Sequence, residues 1–379
     1  MKVAALTRTS SIGPSTRYRI LQYVPLLARH GIEVRSHALF GPTWFRILKM
    51  GRGPLRLAAS AGYSLMRLIA RIAQLMSAEV RHADIVHVEQ QLFPYLPLWA
   101  ERLLWPKRAR TVLEFDDAIH LTSGHRHKLE GLCALADLVI VGNRFLADFA
   151  RPFARQLVVI PTTVDLDAYE QARAVQQRRR VERDGTLRVG WIGLPYNMPY
   201  LLQLAEPLAR LAESGRSVEL RVISSGLPEA DPAWGRVRLV HRPWSVATEA
   251  TELGACDLGV MPLPDTDWAR GKCGLKLLQC MAAEVPVICS PVGVNADFIE
   301  DGQNGLTAGP PDAWADALAR LADDPDLRAR LGRAGLRTVQ NCYSMRDGAE
   351  KVREAYGLTL GLAEGDGAPV SPAPSIRRR

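Results

Sequence analysis

Short apolar runs, each closed by a turn and followed by a helix-like stretch, recur along this chain, and the series starts afresh halfway down it. Val3 to Leu6 is the first run. A loop with Gly13 and Pro14 follows; Ser15 or Thr16 can cap a helix through Ile20, Tyr23, Val24 and Leu27, which Gly31 ends. Ile32 to Ser36, Ile85 to Val88, Thr111 to Leu113 and Leu138 to Val141 read as further short strands, with helical stretches such as Leu129 to Ala136 and Arg144 to Ala150 between them. This alternation predicts βαβ units around a parallel sheet. The restart is at Leu187 to Gly193, a strand ending in a glycine turn. A helix from about Tyr200 to Glu213 and strands at Leu220 to Ile223, Leu258 to Met261 and Val285 to Ile288 follow. The expectation is therefore an α/β protein of two Rossmann-like domains, which suits 379 residues at ~100–200 per domain.

The expected boundaries are 1–168 for the N-terminal domain, 169–185 for a linker and 186–345 for the C-terminal domain. The chain reads helical from Asp312 to about Leu358, and the stretch 346–362 is a last helix able to cross back to the first domain. Residues 363–379, rich in Pro, Gly and Ala and closed by three arginines, read as a disordered tail. The linker reading rests on the polar run Gln171 to Gly185, where Arg178, Arg179 and Arg180 read as a solvated face.

A formal charge of +8 favours anionic partners such as sugar nucleotides or acidic lipids without choosing among them. The six cysteines form no C-x-x-C pair and no zinc spacing; they read as small buried hydrophobes, which suits a reducing cytoplasm. The N-terminus reads as a strand rather than a signal peptide, and no run approaches the ~18 apolar residues of a membrane span. The first strand is not followed by G-x-G-x-x-G, which argues against a nicotinamide enzyme. No basic motif with aromatic stacking supports nucleic-acid binding.

Parallel sheets take ligands beyond the carboxyl ends of their strands, so the loops after strands are the places to search. Gly13 lies in such a loop in the first half, and Gly193 and Asn197 in the second. The most specific segment runs from Leu263 to Gly293, where Arg270, Gly271 and Lys272 lead into a helix that starts near Gly274. Free N–H groups at a helix start, with the helix dipole, attract a pyrophosphate, and Arg270, Lys272 and Lys276 add formal charge there. Lys276 and Gln279 are neighbours on one helix face, so one can meet phosphate while the other hydrogen-bonds a ribose. The same residues also read as a surface helix with solvated lysines.

From Val34 to Ala78 there is no acidic residue, while Arg35, Arg46, Lys49, Arg52, Arg56, Arg67 and Arg71 alternate with Trp, Phe, Leu, Ile and Met. A basic amphipathic stretch of this kind can rest on an anionic membrane surface, or be an internal helix with a solvated basic face.

Several of these runs resemble one family. Gly274 to Ala283, Val285 to Asn295 and Ile299 to Leu306 resemble the donor-binding core of glycosyltransferase family 4. Gly142-Asn143 with Pro161 to Asp165, and Trp191-Ile192-Gly193, resemble the family's domain junction and the first strand of its C-terminal domain. Ser15 to Arg19 and Phe115-Asp116-Asp117-Ala118 resemble a bacterial polysaccharide-biosynthesis branch. The resemblance implies the GT-B fold of two facing Rossmann-like domains, a nucleoside-diphosphate-sugar donor, a glycan or lipid-linked acceptor, retention of anomeric configuration and no essential metal or other cofactor. It implies that Lys276 lies near the donor phosphates and that Gln279 stands where many members carry a ribose-binding glutamate. Gly271 stands where they carry a sugar-contacting one, and it offers only backbone groups. Glu284 replaces a usual glycine.

Asp116 and Asp117 are expected to contact donor sugar or acceptor hydroxyls, or to cap a helix, rather than to hold a metal. Arg17 and Arg19 are placed on the acceptor side. His120, His125 and His127 include a candidate base, although the departing diphosphate can itself take the acceptor proton. The competing readings are a sugar-nucleotide epimerase of the same fold and a non-catalytic nucleotide-sugar-binding subunit.

Overall fold

The computed structural model describes residues 1–48, 50–51, 53–122, 124–182, 184–226 and 232–362. They divide into two compact units, Met1–Thr162 together with the chain from Met345, and Thr163–Ser344. The expected tail at 363–379, with Lys49 and Arg52 of the basic stretch, lies outside the described residues.

The first unit is built on a parallel sheet of β1 (Lys2–Thr9), β2 (Glu33–Phe40), β3 (Ile85–Glu89), β4 (Arg110–Phe115), β5 (Leu138–Val141) and β6 (Leu157–Val159), in the order β2-β1-β3-β4-β5-β6. Its central strands are buried along most of their length, as a sheet covered on both faces requires. The covering helices are α1 (Pro14–Arg19), α2 (Val24–Arg29), α3 (Pro42–Leu48), α4 (Pro54–Met76), α5 (Ala78–Arg81), α6 (Leu98–Leu104), α7 (Arg126–Leu135) and α8 (Arg144–Ala150). The cap of α1 is Gly13, with Pro14 in the first turn and no side-chain cap bond, so neither Ser15 nor Thr16 caps it.

The second unit opens with α9 (Glu170–Val181). Its parallel sheet holds β7 (Thr186–Ile192), β8 (Ser217–Ser224), β9 (Arg238–Pro243), β10 (Leu258–Met261), β11 (Val287–Cys289) and β12 (Leu306–Thr307), in the order β12-β11-β10-β7-β8-β9. Around it lie α10 (Ala205–Glu213), α11 (Glu249–Gly254), α12 (Asp267–Arg270), α13 (Leu275–Ala282), α14 (Val294–Phe298), α15 (Pro311–Asp323) and α16 (Pro325–Cys342). Trp191, Leu208, Leu220 and Trp314 share its core. The last helix, α17 (Met345–Thr359), belongs to the first unit: Val352 and Tyr356 join Val3, Tyr23, Leu27 and Val112 in one core, and Tyr356 Oη lies 2.8 Å from His87 Nδ1.

Two sequence readings need correction. The stretch 169–185 is not a free linker but mostly helix α9, with Ala172 and Gln176 buried. Two of its three arginines are used internally: Arg179 donates to Asp257 at 2.9 Å and Arg180 to Glu284 at 2.7 Å. A Cβ on Gly254 would lie 2.3 Å from the Ala172 carbonyl oxygen, so α11 and α9 touch backbone to side chain-free backbone. The basic stretch 34–78 forms β2, α3 and α4, and its arginines are not all on a solvated face: Arg71 is fully buried.

Candidate functional site

In the second unit the expected donor residues follow β7, where Gly193 and Asn197 lie, and β10, where the loop with Arg270, Gly271, Lys272 and Gly274 leads into α13 with Lys276 and Gln279. β7 ends at Ile192, and the Gly193 N–H donates to the Ile223 carbonyl at 3.1 Å. Lys276, in the first turn of α13, reaches over the end of β7, where its Nζ lies 4.2 Å from the centroid of the Trp191 ring. Gly193 makes room for this: a Cβ there would stand 2.6 Å from the Trp191 ring and 2.8 Å from Lys276 Nζ.

The Lys276 ammonium has no carboxylate partner among the described residues. Burial, and then the nearby Lys272 charge, pushes its pKa down to about 7. The Trp191 ring face compensates part of the charge. Lys272 itself lies over Trp268, its Nζ 5.4 Å from the ring. Helix α13 begins after Gly274, which has φ +68° and whose absent Cβ would meet the Phe298 ring at 2.6 Å. The Leu277 and Leu278 N–H groups bond back to the Gly274 carbonyl at 3.0 and 3.3 Å, so the N–H groups left for a ligand at this helix start are those of Leu275 and Lys276.

The other expected residues divide. Gln279 lies on α13 one turn beyond Lys276, almost fully buried. Asn197 is only 6% exposed, and its Oδ1 accepts no hydrogen bond from the described residues, an uncommon state for a buried oxygen. Arg270 does not add free charge: it is forked onto Asp265 at 2.7 and 3.0 Å and reaches Asp267 at 3.4 Å. Gly271 ends α12 with its N–H bonded to the Asp267 carbonyl, so that donor is already used. Glu284 has φ +61°, which explains why glycine is usual there; Arg180 holds both its carboxylate, at 2.7 Å, and its carbonyl, at 2.9 Å.

In the first unit, the carboxyl ends of β1, β3 and β4 gather a buried polar cluster. Gly13 lets α1 start against β1, since a Cβ there would fall 1.9 Å from Thr9 Oγ1. Thr9 Oγ1 pairs with Thr16 Oγ1 at 2.8 Å, and Thr16 donates to Glu89 Oε2 at 2.7 Å. The Arg8 N–H adds a second bond to the same oxygen at 2.8 Å. Burial raises the Glu89 pKa to about 7 against those two bonds, with Asp116 and Glu114 pushing the same way. Gln90, next in the chain, has φ +62°.

Asp116 is also raised, by burial, although the Arg19 charge and a hydrogen bond with Ser15 oppose it. Asp117 follows it, half-buried, at the start of a 3₁₀ turn, Ile119–Leu121. Among the described residues no group of three or more His, Cys, Asp or Glu is arranged to hold a metal ion.

Arg19 is not presented to an acceptor. It is buried, with Nε donating to Glu114 Oε1 at 2.7 Å and Nη1 to the Ile160 carbonyl at 2.7 Å. Burial would raise the Glu114 pKa, but Arg19 and His87, whose Nε2 lies 2.8 Å away, lower it. Arg17 is half-buried, 4.6 Å over the Tyr18 ring. His120 is buried and stacked on Phe149 at 3.9 Å, His125 lies 3.3 Å from the Pro94 carbonyl, and His127 is exposed beside Glu130.

Sequence reading alone does not single out Glu89. Its signal is present, since His87 and Glu89 interrupt an otherwise apolar strand, but only the fold shows that they are buried. The ring beneath Lys276 is 85 positions away along the chain, and no spacing rule connects them.

Residues 186–324, which hold this lysine site, match the model of the family described as Glycosyl transferases group 1. An alpha-D-kanosaminyltransferase of Streptomyces kanamyceticus is 27% identical over 198 residues, 50% of this chain and 50% of that protein. The chain thus spans about half the length of this curated relative. Among solved structures, a glycosyltransferase from Rickettsia africae ESF-5 superposes with a TM-score of 0.67 at 14% identity, over 96% of this chain and 99% of that one. Anabaena Alr3699/HepE in complex with UDP and glucose does so with a TM-score of 0.64 at 16% identity, over 93% and 98%. The fold class is that of the GT-B glycosyltransferases, with two six-stranded parallel sheets.

No described helix is long and apolar enough to cross a membrane.

Proposed function

We propose that this protein is a retaining glycosyltransferase of family 4 that moves a hexose-type sugar from a nucleoside diphosphate to a glycan or lipid-linked acceptor. Its place is the cytoplasmic side, at the inner face of the membrane, in bacterial polysaccharide biosynthesis. The observation that carries the reading is the unpaired Lys276 ammonium over Trp191 at the start of α13, inside the region that matches the group-1 family. Such an arrangement is costly without an anion and favourable with one. That a neighbour of the same fold holds UDP and glucose supports a sugar-nucleotide donor.

In this reading Lys276 and the α13 N–H groups take the diphosphate and stabilise it as it leaves. Lys272 adds long-range charge. Gln279 and Asn197 offer amides to the nucleoside, because an amide oxygen accepts from a ribose hydroxyl or a base N–H. Gly193 gives the donor close access to the strand end. Asp116, Asp117 and Arg17 serve the sugar or the acceptor. Arg19 acts through Asp116 by its charge rather than by touching substrate. The diphosphate itself takes the acceptor proton, so the reaction needs no metal and no histidine base.

Calorimetric titration with UDP, GDP, ADP and NAD, without added metal, tests the donor site. One nucleoside diphosphate is expected to bind, about 10–100-fold more weakly in Lys276→Ala, as for loss of one charge-assisted bond. No binding by any of the four, or full affinity in the variant, overturns the assignment of the phosphates.

A further inference from the structure

Helix α4 buries an arginine and exposes an apolar stripe. In a soluble domain the apolar stripe of a surface helix faces the core. Here the most buried side chain of α4 is Arg71, and Arg67 and Tyr63 turn inward with it, beside half-buried Leu68, Ile72 and Leu75. Arg71 donates to the carbonyls of His37 at 3.0 Å and Thr7 at 2.6 Å, and Arg67 to those of Leu39 at 2.5 Å and Ala38 at 2.6 Å. Tyr63 Oη accepts from the Gly41 N–H at 3.1 Å. These groups satisfy backbone atoms at the end of β2 and of its neighbour β1. The outer side is apolar: Leu55, Leu65, Met66, Ile69 and Met76 are exposed at helical spacing, with Leu65 at 60% and Ile69 at 61%.

Beside this stripe is a groove of about 370 Å³ between α4 and the segment 93–96, lined among others by Leu39, Phe40, Trp44, Leu68, Phe93 and Tyr95. That volume is in the range of small-ligand sites, ~300–1,000 Å³. Among its lining residues Phe40 and Trp44 stack at 4.7 Å. The right-handed crossovers β2–α4–β3 and β3–α6–β4 put α4 and α6 on one sheet face. Helix α6 exposes Trp99 and Leu103. Arg46 on α3 and Arg102 on α6 are exposed and make no ion pair among the described residues.

We propose that this face docks into the interface of an anionic phospholipid bilayer, the α4 stripe entering the acyl boundary and the groove taking one hydrocarbon chain of a phosphate-headed lipid. Exposed Trp and Tyr suit the wet–apolar boundary, and Arg46 and Arg102 suit phosphate headgroups. A second copy of the chain would bring the same positive set against itself. Because Arg67 and Arg71 are used inside the fold, attachment comes from apolar burial more than from charge. For its purpose the inference rests on the proposed lipid-linked acceptor; for its geometry it does not.

Flotation of the full chain with phosphatidylcholine–phosphatidylglycerol vesicles, at low and high salt, tests the docking. Binding is expected to survive high salt and to fall roughly tenfold or more in the double variant Leu65→Glu/Ile69→Glu, whose positions are exposed and outside the core. Titration with dodecyl phosphate is expected to saturate, and Ser64→Trp, which fills the groove, to abolish that binding while leaving flotation in place. Absence of flotation, flotation unchanged in the double variant, or flotation lost at high salt overturns the apolar docking. A concentration-dependent dimer that the double variant abolishes, without flotation, assigns the face to a second copy and overturns it too. Non-saturating dodecyl phosphate, or saturation unaffected by Ser64→Trp, removes the chain site. Nucleoside diphosphate affinity of the double variant is read in parallel and is expected to be unchanged. A chain that floats yet binds no nucleotide would refute the glycosyltransferase reading and leave the lipid surface standing.

Discussion

At the residue scale the chemistry converges on Lys276. Its pKa in the fold is about 7, against an ordinary 10.5, with burial the main cause. A lysine depressed in this way holds fewer protons folded than unfolded between those two values. Its charge therefore costs stability fully below pH 7, and the cost fades as pH rises from about 7 towards 10.5. A bound diphosphate reverses the shift, because it supplies the missing counter-charge. Binding at pH 8 is thus expected to take up close to one proton, and binding at pH 6 almost none. Calorimetry at pH 8 in buffers of different ionisation enthalpy reads this directly; an uptake that persists in Lys276→Ala would show that another group titrates. The sequence made Lys276 visible through its place in a helix start and the family-like run around it. It could not show Trp191 beneath it, nor that Gly193 is there to keep the two in contact, because both facts depend on strand β7 ending under α13. The same limit explains Arg270 and Arg19. Both are arginines near expected sites, and both are already neutralised: Arg19 by Glu114, 95 positions away, which only the fold brings near, and Arg270 by Asp265, five positions before it, a pairing that the order of residues alone does not announce.

At the element scale, the helix mistaken for a linker is the instructive case. Helix α9 carries two glutamines and three arginines in its last six residues before Val181, so its composition looks solvated. What it buries is small or long-stemmed: Ala172, Gln176 and the Arg180 stem form an i, i+4, i+8 stripe, and a hydrophobicity pattern does not register such a face. The stripe also accounts for Glu284, whose left-handed backbone would favour glycine. Arg180→Ala should therefore cost about 1–3 kcal/mol, since it strands a buried carboxylate in a strained turn. Adding Glu284→Gly should recover about 1 kcal/mol or more of that loss, whereas Glu284→Gly alone should lose the Arg180 bond. Denaturant unfolding of the four proteins closes the cycle, and additive losses would mean that the pair does not act as a clamp. For helix α4 the sequence reading showed a basic amphipathic stretch, but not that an arginine, Arg71, would be the side chain turned fully inward.

At the scale of the whole molecule, the repeated βαβ pattern was readable because central parallel strands are short, apolar and flanked by helices. Of the outer strands, β2 was read as Ile32 to Ser36, and the other three were not. β6 and β12 have three and two residues, and β9 carries Arg238, His241 and Arg242 at an edge where only one side needs covering. Nor does local pattern say which core the last helix joins. Helix α17 completes the core of the first unit through Ala349, Val352, Ala355 and Tyr356, while every residue of the lysine site belongs to the second. A carboxylate at position 352, which is 3% exposed, would be buried without a partner and should destabilise the first unit by about 3 kcal/mol or more. The second unit keeps its own core around Trp191 and Trp314, so Val352→Asp should still bind the nucleoside diphosphate with near-normal affinity. Calorimetric scanning should accordingly show one transition moved to lower temperature by the substitution and another raised by the nucleotide through ligand linkage. If the substitution lowered both transitions equally and abolished binding, the two cores would be one cooperative unit, and the assignment of the donor site to the second unit alone would fail.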